Sequence, residues 1–511
     1  MDEMSVPVDI TARSAGDGGG SGDAPRDLRE WIERVEAIGH IKRITDEVDW
    51  NEEMGAITYM AHQEINAPAL IFEKIKGCPN GFRALWNPIG SSPDRFAVAV
   101  GEPTGRPLMD LIRACKTKFS QAVPPTMDVS DAPVNANHMT GDQIDITIFP
   151  AARHWAGDGG RYIGTCDAVI TRDPDAGWLN VGTYRMMIQG RDQVGLYLSP
   201  GKDARLHIER CWSRGEPCEV VACWGIEPAM FIVASQTFPK TVSELDYIGG
   251  LIGRPVELVK GSVVNLPYPA RAEIVMEGVI PPDSMKLEGP FGEFTGYYGR
   301  PEDLAFLVEI KAVHYRDRPI LTHALMADYP ANENSTLYSI ARAARIWNDL
   351  DKIGVPGIKG VYAHPAAAGG FALTVVSLEQ RYPGHAPQAL AIAAQCPGGA
   401  YFSKWIIAVD HDVDPSNINQ VLWAMATRCN PAEDIDILRQ TWSTWLDPTQ
   451  NPPDERPYSS KALINACMEH RYIKQFSKRT KVRRSVYEKV ARNWQALGFK
   501  GDPPTLWALE D

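Results

Sequence analysis

The sequence predicts a multidomain protein of mixed α/β class (α+β), with a β-rich region between two regions that combine helices and strands. Its 511 residues are 44% hydrophobic and 23% charged, an ordinary globular composition. A chain of this length is expected to form roughly three domains. The 43 glycines and 39 prolines imply many turns, which argues against a helical bundle or a coiled coil.

Charge and cysteine content exclude several classes of function. The 52 Lys and Arg residues against 64 Asp and Glu residues give a net charge of −12, and an acidic surface repels nucleic acid. Nine scattered cysteines without a CxxC pair fit free thiols in a reducing compartment. The chain has no apolar run near the roughly 18 residues that span a bilayer, and no basic leader. We therefore expect a cytoplasmic protein that does not enter a membrane.

Residues 1–26 are predicted to be a disordered tail, because they are rich in Gly, Ser and Asp and poor in large apolar side chains. Residues 27–135 are predicted to form an N-terminal α/β domain. Asp27 caps its first helix, and Gly39 ends that helix. A helix from Glu52 and two strands are expected next, the strands at 41–44 and 69–72.

Residues 136–325 are predicted to form a β-rich domain, because short apolar runs alternate there with turn residues. Strands of this kind commonly form a barrel or a sandwich, and the mouth of a barrel is a frequent place for a cofactor. The expected strands lie at 166–171, 179–189, 194–198, 218–223, 229–235, 256–260, 272–279 and 305–315.

Residues 326–511 are predicted to form a second mixed α/β region. Ser335 is expected to cap a helix that ends near Gly354, and a strand is expected at 405–409. The last helix is expected to carry an apolar face and to end at Gly498.

The sharpest chemical feature is the segment Glu288-Gly-Pro-Phe-Gly-Glu293, in which Gly and Pro fix the path between two carboxylates. Two such acids can divide acid and base roles if they face one cleft. They can equally be solvated residues of a surface loop.

Arg185 lies in an otherwise apolar stretch, Asn180-Val-Gly-Thr-Tyr-Arg185-Met-Met-Ile. A partly buried guanidinium requires an anion, either a substrate carboxylate or one of Glu288 and Glu293, unless the side chain reaches solvent. Asn180 and Arg185 would face opposite sides of a flat strand, so a shared site requires a bend, for which Gly182 is the candidate.

An oxygen-rich set is formed by Asn180, Asp203 and Glu244, and oxygen ligands suit Mg²⁺ or Mn²⁺. Each acid is also compatible with a surface position. Asp158-Gly-Gly-Arg161 and Asp410-His-Asp412 are typical of a turn and of a solvated strand end. The common nucleotide-binding and hydrolase motifs GxGxxG, GxxxxGK[ST], GxSxG and HExxH do not occur.

Together, the motifs resemble the UbiD family of reversible decarboxylases, which use prenylated flavin mononucleotide (prenylated FMN). The resemblance runs from about residue 27 to about residue 500, and the motifs occur once each in family order. They are DGGRYI at 158, NVGTYR at 180, SPGKDARLH at 199, VSELDYIGGLIGRPVELVKG at 242, ARAEIVMEGVI at 270, EGPFGEFTGYYG at 288, IIAVDHDVDP at 406 and VLWAMATRCNP at 421.

The resemblance implies an N-terminal α/β domain, a central split β-barrel that binds the flavin, and a C-terminal α/β domain for oligomer assembly. It also implies a catalytic set in which Arg185 pairs with Glu288, and Glu293 protonates the carbon that loses CO₂. An aromatic, heteroaromatic or polycyclic acid is the expected substrate, in either direction of reaction. The phenolic branch of the family is favoured by the lysine before the 406 motif and by the WSTWLDPTQNPP segment at 442.

The cofactor contacts follow from the same resemblance. Asn180 and Glu244 look like ligands of a divalent ion, usually Mn²⁺, that ties the flavin phosphate to the protein. K⁺ is expected near the backbone of 233–236, which ends at Gln236. The third metal ligand is commonly a His, and here either Asp203 takes its place or Lys202 contacts the phosphate directly. Arg185 is expected to contact the flavin as well.

Two further positions are weaker expectations. Lys404 is expected to contact the phosphate or to be an ordinary lysine at a strand edge, and His323 to face substrate or to be a buried structural histidine.

The expected partners are a small aromatic acid, CO₂, a flavin prenyltransferase that supplies the cofactor, and further copies of the chain in a dimer or hexamer. Two alternative functions stay open: a flavin-dependent oxidoreductase, and a catalytically impaired subunit of the same fold.

Overall fold

A computed structural model of the chain describes residues 22–239, 242–452 and 455–510. The described helices are α1 (Leu28–Ala37), α2 (Glu53–Ala61), α3 (Pro93–Ala99), α4 (Leu108–Lys118), α5 (Asp203–Ser213), α6 (Pro228–Ala234), α7 (Glu244–Ile252), α8 (Asn334–Ile353), α9 (His385–Gln395), α10 (Ile418–Arg428), α11 (Pro431–Asp434) and α12 (Arg484–Arg492).

The strands of the N-terminal region are β1 (Ile41–Val48), β2 (Ala69–Ile75) and β3 (Arg83–Trp86). Those of the central region are β4 (Asn137–Thr140), β5 (Tyr162–Gly164), β6 (Asp167–Arg172), β7 (Leu179–Gly182), β8 (Met186–Ile188), β9 (Gln193–Leu196), β10 (Cys218–Trp224), β11 (Leu258–Lys260), β12 (Pro267–Pro269), β13 (Ile274–Ile280), β14 (Met285–Glu288), β15 (Asp303–Tyr315) and β16 (Ile320–His323). Those of the C-terminal region are β17 (Ile358–Ala363), β18 (Leu373–Leu378), β19 (Trp405–Asp410), β20 (Ile435–Thr441), β21 (Ser459–Ala466), β22 (Val482–Arg483) and β23 (Leu509–Glu510).

Three large sheets contain most of these strands, while β11 pairs with β12 and β22 with β23 in two small sheets, and the predicted mixed α/β class is confirmed. The central sheet has ten strands and follows the order β5-β8-β9-β15-β13-β10-β6-β7, with β4 and β14 added on β15. The path does not return to its start, as expected of a split barrel. The N-terminal sheet has the order β1-β2-β3-β16, and the C-terminal sheet the order β17-β18-β19-β21-β20.

The sheets are tied to one another by shared elements. Strand β16 follows the central strand β15 along the chain but pairs in parallel with β3 of the N-terminal sheet. Helix α8 is buried along most of its length and packs against α4 and β17. These connections join the central sheet to the N-terminal and C-terminal regions. The candidate site lies in the central region.

Helix α1 forms as the sequence predicts. The Asp27 carboxylate accepts a 2.9 Å hydrogen bond from the Glu30 backbone N–H, and Leu28, Trp31 and Val35 are buried on one face. The chain is already packed before this cap, because Ala24 and Pro25 are buried. The prediction of a disordered tail therefore fails for these two residues, and residues 1–21 lie outside the described part of the chain.

Three other local predictions are wrong. Residues 229–235 were expected to be a strand but form helix α6, which is fully buried and begins at Pro228. A short apolar run has no periodicity that separates a buried strand from a buried helix, and Pro at the first helical position favours the helix. Helix α8 begins at Asn334 rather than after a Ser335 cap, and α12 ends at Arg492, before Gly498.

The nine cysteines are free thiols. Among the described residues, no helix is both long enough and apolar enough to cross a membrane.

We predict that Asp27→Ala lowers the stability of the protein by about 1 kcal/mol, because it removes an N-cap. The carboxylate also lies 3.0 Å from Arg316 Nη1, so the variant loses that ion pair as well. Thermal unfolding checks the prediction, with Glu33→Ala on the exposed face of the same helix as the control. Equal melting temperatures for the two variants would show that the cap contributes nothing.

Candidate active site

The site begins at an interruption in the central sheet. Strand β7 ends at Gly182 and β8 starts at Met186, so the predicted bend follows Gly182 directly. A Cβ atom on Gly182 would lie 2.3 Å from the hydroxyl oxygen of Tyr184, which explains the glycine. The Tyr184 N–H donates to Asp167 Oδ1 at 3.0 Å and the Thr183 N–H to the Ala234 carbonyl at 3.2 Å. These bonds hold the bend and direct Arg185 inward.

Arg185 joins the two carboxylates of the Glu288–Glu293 segment. Its Nε and Nη2 donate to Glu288 Oε1 and Oε2, both at 2.9 Å, and its Nη1 donates to Glu293 Oε1. Burial opposes the charge of the guanidinium, but the carboxylates outweigh it and raise the pKa of Arg185. The sequence left open whether this arginine pairs with Glu288, Glu293 or solvent, and in the structure it pairs with both acids.

Glu288 is held on all sides. It has no exposed surface, and besides the two bonds from Arg185 its Oε1 accepts a 2.9 Å hydrogen bond from the Tyr162 hydroxyl. The Arg300 guanidinium lies 4.0 Å from Glu288 Oε2. A carboxylate with this many donors is fixed in position. Glu288 therefore acts on Arg185 rather than on a ligand.

Glu293 is in a different environment, although it is only five residues away. It lines a cavity, is 4% exposed, and shares one oxygen with Arg185. Burial raises its pKa to about 7, with the charge of Glu288 acting in the same direction and Arg185 opposing it. A carboxyl with such a pKa can hold a proton and release it near neutral pH.

The cavity in front of Glu293 has a volume of about 780 Å³, its open side included. This is within the range of about 300 to 1,000 Å³ that is usual for small-molecule sites. Much of its wall is aromatic or apolar, formed by Phe231, Phe291, Phe294, Met326, Tyr338, Phe371, Tyr401 and Leu446. The charged residues of the wall are Arg185, Lys202 and Glu293. Aromatic side chains of this kind suit a planar ligand.

Lys202 supplies a cation at the edge of this cavity, directly before α5. Its Nζ lies 4.0 Å from the centroid of the Tyr401 ring. Burial lowers the pKa of Lys202 to about 8, and the neighbouring Arg342 guanidinium contributes to this shift against the opposing charge of Asp203. A buried lysine that lines an aromatic cavity fits the phosphate of a flavin mononucleotide.

The predicted oxygen ligands come together beside this lysine. Glu244 Oε2 accepts a 2.8 Å hydrogen bond from the Val181 N–H, next to Asn180. Burial raises the pKa of Glu244 to about 8, and the charge of Asp203 raises it further. The Asn180 side-chain nitrogen is buried without a hydrogen-bond partner among the described residues. Glu244 and Asp203 are close enough for their charges to interact, and a divalent cation bound to their oxygens would compensate that charge.

The backbone next to Gln236 contacts a residue of the cavity wall. The Ser235 carbonyl accepts a 2.9 Å hydrogen bond from the Tyr338 hydroxyl, which belongs to the cavity wall. The Gln236 side chain donates to Ser235 Oγ at 2.8 Å. The Val233, Ala234 and Ser235 carbonyls each accept a hydrogen bond, and the Gln236 side chain itself does not line the cavity.

Two predicted residues are engaged elsewhere. Lys404 Nζ lies 2.8 Å from Asp447 Oδ1 and 3.1 Å from Thr449 Oγ1, outside the cavity lining. His323 is fully buried, stacks on Trp86 at 4.6 Å and contacts the Pro150 carbonyl through Nε2 at 3.0 Å. Burial lowers the pKa of His323 to about 4, which is typical of a structural histidine.

Three residues of the site were not singled out from the sequence. Tyr162 bonds Glu288, and the Tyr197 ring lies beneath both Arg185 and Arg300, at 4.4 and 4.6 Å from the two guanidinium carbons. Tyr162 belongs to the DGGRYI motif, so its position in a motif was a usable signal. Tyr197 and Arg300 carried no comparable signal, because an isolated tyrosine or arginine has many structural roles.

Comparisons with known proteins agree with this architecture. The chain matches the 3-octaprenyl-4-hydroxybenzoate carboxy-lyase N-terminal domain at residues 32–115, the Rift-related domain of the same enzyme at 126–329 and its C-terminal domain at 335–466.

Two curated relatives are similar over nearly their whole length. The phenolic acid decarboxylase of Bacillus subtilis is 32% identical over 437 residues, which cover 84% of this chain and 90% of the relative. The pyrrole-2-carboxylic acid decarboxylase of Pseudomonas aeruginosa is 30% identical over 495 residues, 93% of this chain and 98% of the relative.

Two solved structures have the same fold. The closed form of the vanillic acid decarboxylase of Sedimentibacter hydroxybenzoicus matches with a TM-score of 0.83 and 29% identity, over 92% of this chain and 99% of that chain. The UbiD-class enzyme HmfF of Pelotomaculum thermopropionicum, solved with prenylated FMN as an evolved dimeric form, matches with a TM-score of 0.76 and 29% identity, over 89% and 97%. With three family domains in order and relatives of this similarity, the chain belongs to the UbiD family and is a carboxy-lyase.

Proposed function

We propose that the protein is a reversible, non-oxidative decarboxylase of an aromatic carboxylic acid that uses prenylated FMN. The observation that carries the proposal is the network in which Arg185 is fixed by Glu288 and shares a carboxyl oxygen of Glu293 at an aromatic cavity. Relatives that decarboxylate phenolic acids and pyrrole-2-carboxylate, and a similar enzyme solved with prenylated FMN, support both the reaction and the cofactor.

Loss of CO₂ from an aromatic carbon leaves an unstable carbanion, which amino acid side chains alone do not stabilise. When bound, prenylated FMN supplies the electron sink that this reaction requires. The residues of the chain then have to orient the acid, exclude water and deliver a proton to the carbon that CO₂ leaves.

The two glutamates take different parts in this scheme. Glu293 faces the cavity and has a pKa near 7, so it holds the proton that is delivered to carbon. Glu288 has no exposed surface and both of its oxygens are bonded, so it keeps the Arg185 guanidinium in one orientation. Arg185 in turn places the Glu293 carboxyl and stabilises negative charge that develops at the cavity wall. In the carboxylation direction the ionised Glu293 would remove the proton.

Cofactor binding is assigned to groups at the other side of the cavity. Lys202, as a buried cation, would contact the flavin phosphate. Asn180, Asp203 and Glu244 would hold Mn²⁺, with Asp203 taking the place of the usual histidine. K⁺ would bind the carbonyls of 233–236. The short distance between Lys202 and Asp203 in sequence allows both residues to serve the same phosphate, one directly and one through the metal.

The substrate we propose is a monocyclic or fused aromatic acid. The cavity walls formed by Phe291, Phe294 and Phe371 support a flat, apolar body. We also propose a homo-oligomer and a flavin prenyltransferase as the source of the cofactor. The cytoplasmic location inferred from the sequence stays a prediction.

The two alternatives differ in their use of the site. A flavin-dependent oxidoreductase would transfer hydride and would not need Arg185 between two carboxylates. An impaired subunit would keep the fold without retaining the cofactor, and the acid at position 203 is the feature that favours it. Hydride transfer from NAD(P)H would support the first alternative, and failure to bind flavin would support the second.

We predict that Glu293→Gln lowers decarboxylation by about 10²- to 10⁴-fold, the usual contribution of a general acid. The measurement is anaerobic CO₂ release by protein produced together with a flavin prenyltransferase, on vanillic acid, pyrrole-2-carboxylic acid and related aromatic acids. Glu302→Gln, an exposed glutamate directly before β15, is the control and is expected to retain activity. Full activity of Glu293→Gln would reject the proton donor.

We predict a pH dependence set by Glu293. Because burial raises its pKa to about 7, the proton-carrying form dominates below that pH and is lost above it. Turnover in the decarboxylation direction should therefore fall by about tenfold per pH unit above neutrality. Initial rates between pH 5.5 and 9 check this, and a flat profile through pH 9 would contradict it.

We predict that Asp203→Ala lowers Mn²⁺ content, while Asp246→Ala, which removes a carboxylate from the first turn of α7, leaves it unchanged. The physical reason is the loss of one oxygen ligand from a set of three. Metal analysis of the purified, flavin-loaded protein is the measurement. Unchanged Mn²⁺ occupancy in Asp203→Ala would leave Lys202 as the phosphate contact and reject Asp203 as a ligand.

A further inference from the structure

The segment that carries Glu288 and Glu293 is held from behind by the turn at 154–160. Asp158 lies in this turn and is 4% exposed. Its Oδ1 accepts a 2.9 Å hydrogen bond from the backbone N–H of Gly292, the residue directly before Glu293. Its Oδ2 accepts the N–H groups of His154 and Trp155 at 3.0 and 2.9 Å. One carboxylate thus joins the turn to the residue that precedes the proposed proton donor.

The two segments also approach too closely for side chains. A Cβ atom on Gly159 would lie 1.9 Å from the Gly289 carbonyl oxygen, and one on Gly292 would lie 2.2 Å from the Trp155 ring. The Gly159 N–H donates to the Pro290 carbonyl at 2.8 Å, and the Gly157 N–H donates to the Tyr298 hydroxyl at 2.9 Å. The turn therefore contacts the Glu288–Glu293 segment along its length, with the Asp158 carboxylate bonded to Gly292 and the His154 ring packed against Phe291.

The chemistry of the bond suits a permanent attachment. A carboxylate that accepts three backbone N–H groups forms charge-assisted hydrogen bonds, which are shorter and stronger than neutral ones. Burial raises the pKa of Asp158 to about 6, so the acid is ionised at neutral pH, and the N–H groups and the Arg185 charge oppose the shift.

We propose that Asp158 is a positioning residue, which sets the proton-donating carboxyl of Glu293 against Arg185 through the Gly292 N–H. The proposal rests on the proposed function, since it assigns a task to the residue that places the donor. Asp158 does not line the cavity, so it acts through the backbone of the 288–293 segment and not on the substrate.

The first test is amide hydrogen exchange of the flavin-loaded protein, followed on the peptide that contains Gly292. In Asp158→Asn the side chain keeps one acceptor oxygen, so it cannot serve Gly292 and the His154–Trp155 pair together. We expect exchange in this peptide to be at least about tenfold faster, as the hydrogen bond is lost. Unchanged exchange would overturn the proposal without any knowledge of the substrate.

The matched control is Glu277→Gln. Glu277 is also a fully buried carboxylate that accepts three backbone N–H groups, those of Ser262, Val263 and Val264, at 2.9 to 3.1 Å. It lies in the same central sheet but outside the cavity lining. The control should leave exchange of the Gly292 peptide unchanged. An equal increase in both variants would mean general loosening of the sheet and would reject a specific role for Asp158.

Kinetics give the second readout, on whichever of vanillic acid and pyrrole-2-carboxylic acid the wild-type enzyme consumes. Asp158→Asn should lower kcat by about 10- to 100-fold with KM within about twofold, because misplacement of a catalytic group affects the chemical step. In a Glu293→Gln background the same change should have no further effect, since the donor is already absent. A full additional loss in the double variant would overturn the positioning role.

If Asp158→Asn does not fold, Tyr298→Phe tests the same attachment more gently, because it removes only the acceptor of the Gly157 N–H. It should raise exchange of the Gly292 peptide by a smaller factor, and no change would count against the proposal.

Failure of the proposed function gives a different result. Full activity of Glu293→Gln would reject the proton donor, whereas the exchange data would still decide whether Asp158 holds Gly292.

Discussion

The buried bond between Arg185 and Glu288 is the interaction on which the rest of the site depends. Removing one partner of a buried ion pair leaves an uncompensated charge and costs about 3 to 5 kcal/mol. Arg185 and Glu288 therefore depend on each other, and the surrounding side chains supply further contacts to both. The Tyr162 hydroxyl, the Arg300 guanidinium and the Tyr197 ring all contact this pair. The arrangement gives Arg185 one orientation, with one nitrogen left for Glu293.

The same pair explains why two glutamates five residues apart differ so strongly. Glu288 receives donors on both oxygens, whereas Glu293 shares one oxygen with the arginine and faces the cavity. The charge of Glu288 itself helps to raise the pKa of its neighbour. Two identical side chains thus differ in their hydrogen bonds and in their access to the cavity through their surroundings alone. Lys202, which is assigned to the cofactor, lines the same cavity, whereas Asn180, Asp203 and Glu244 lie outside its lining.

Much of this could be predicted from the sequence. The features that could not be predicted were all missed for one reason. The cap at Asp27, the bend after Gly182 and the convergence of Arg185 with Glu288 and Glu293 follow from local patterns and motif order. The helix at 228–234 was missed because a short, fully apolar run fits either a buried strand or a buried helix. Lys404 bonds Asp447 and His323 stacks on Trp86, and no local pattern indicates which distant residue becomes a neighbour. The side chains that support the site, such as Tyr197, were missed for the same reason.

The interlocked glycines have a consequence for how such an enzyme can acquire new substrates. Gly159 and Gly292 leave no room for a side chain, so the segment that carries Phe291 and Glu293 into the cavity has almost no freedom to vary. Met326, Tyr338 and Leu446 come from three separate elements on other sides of the cavity. Variation in these residues changes the shape offered to a ligand while the acid and arginine stay in place. Directed evolution toward other aromatic acids should therefore start from these three positions, because changes there are separated from the machinery that moves the proton.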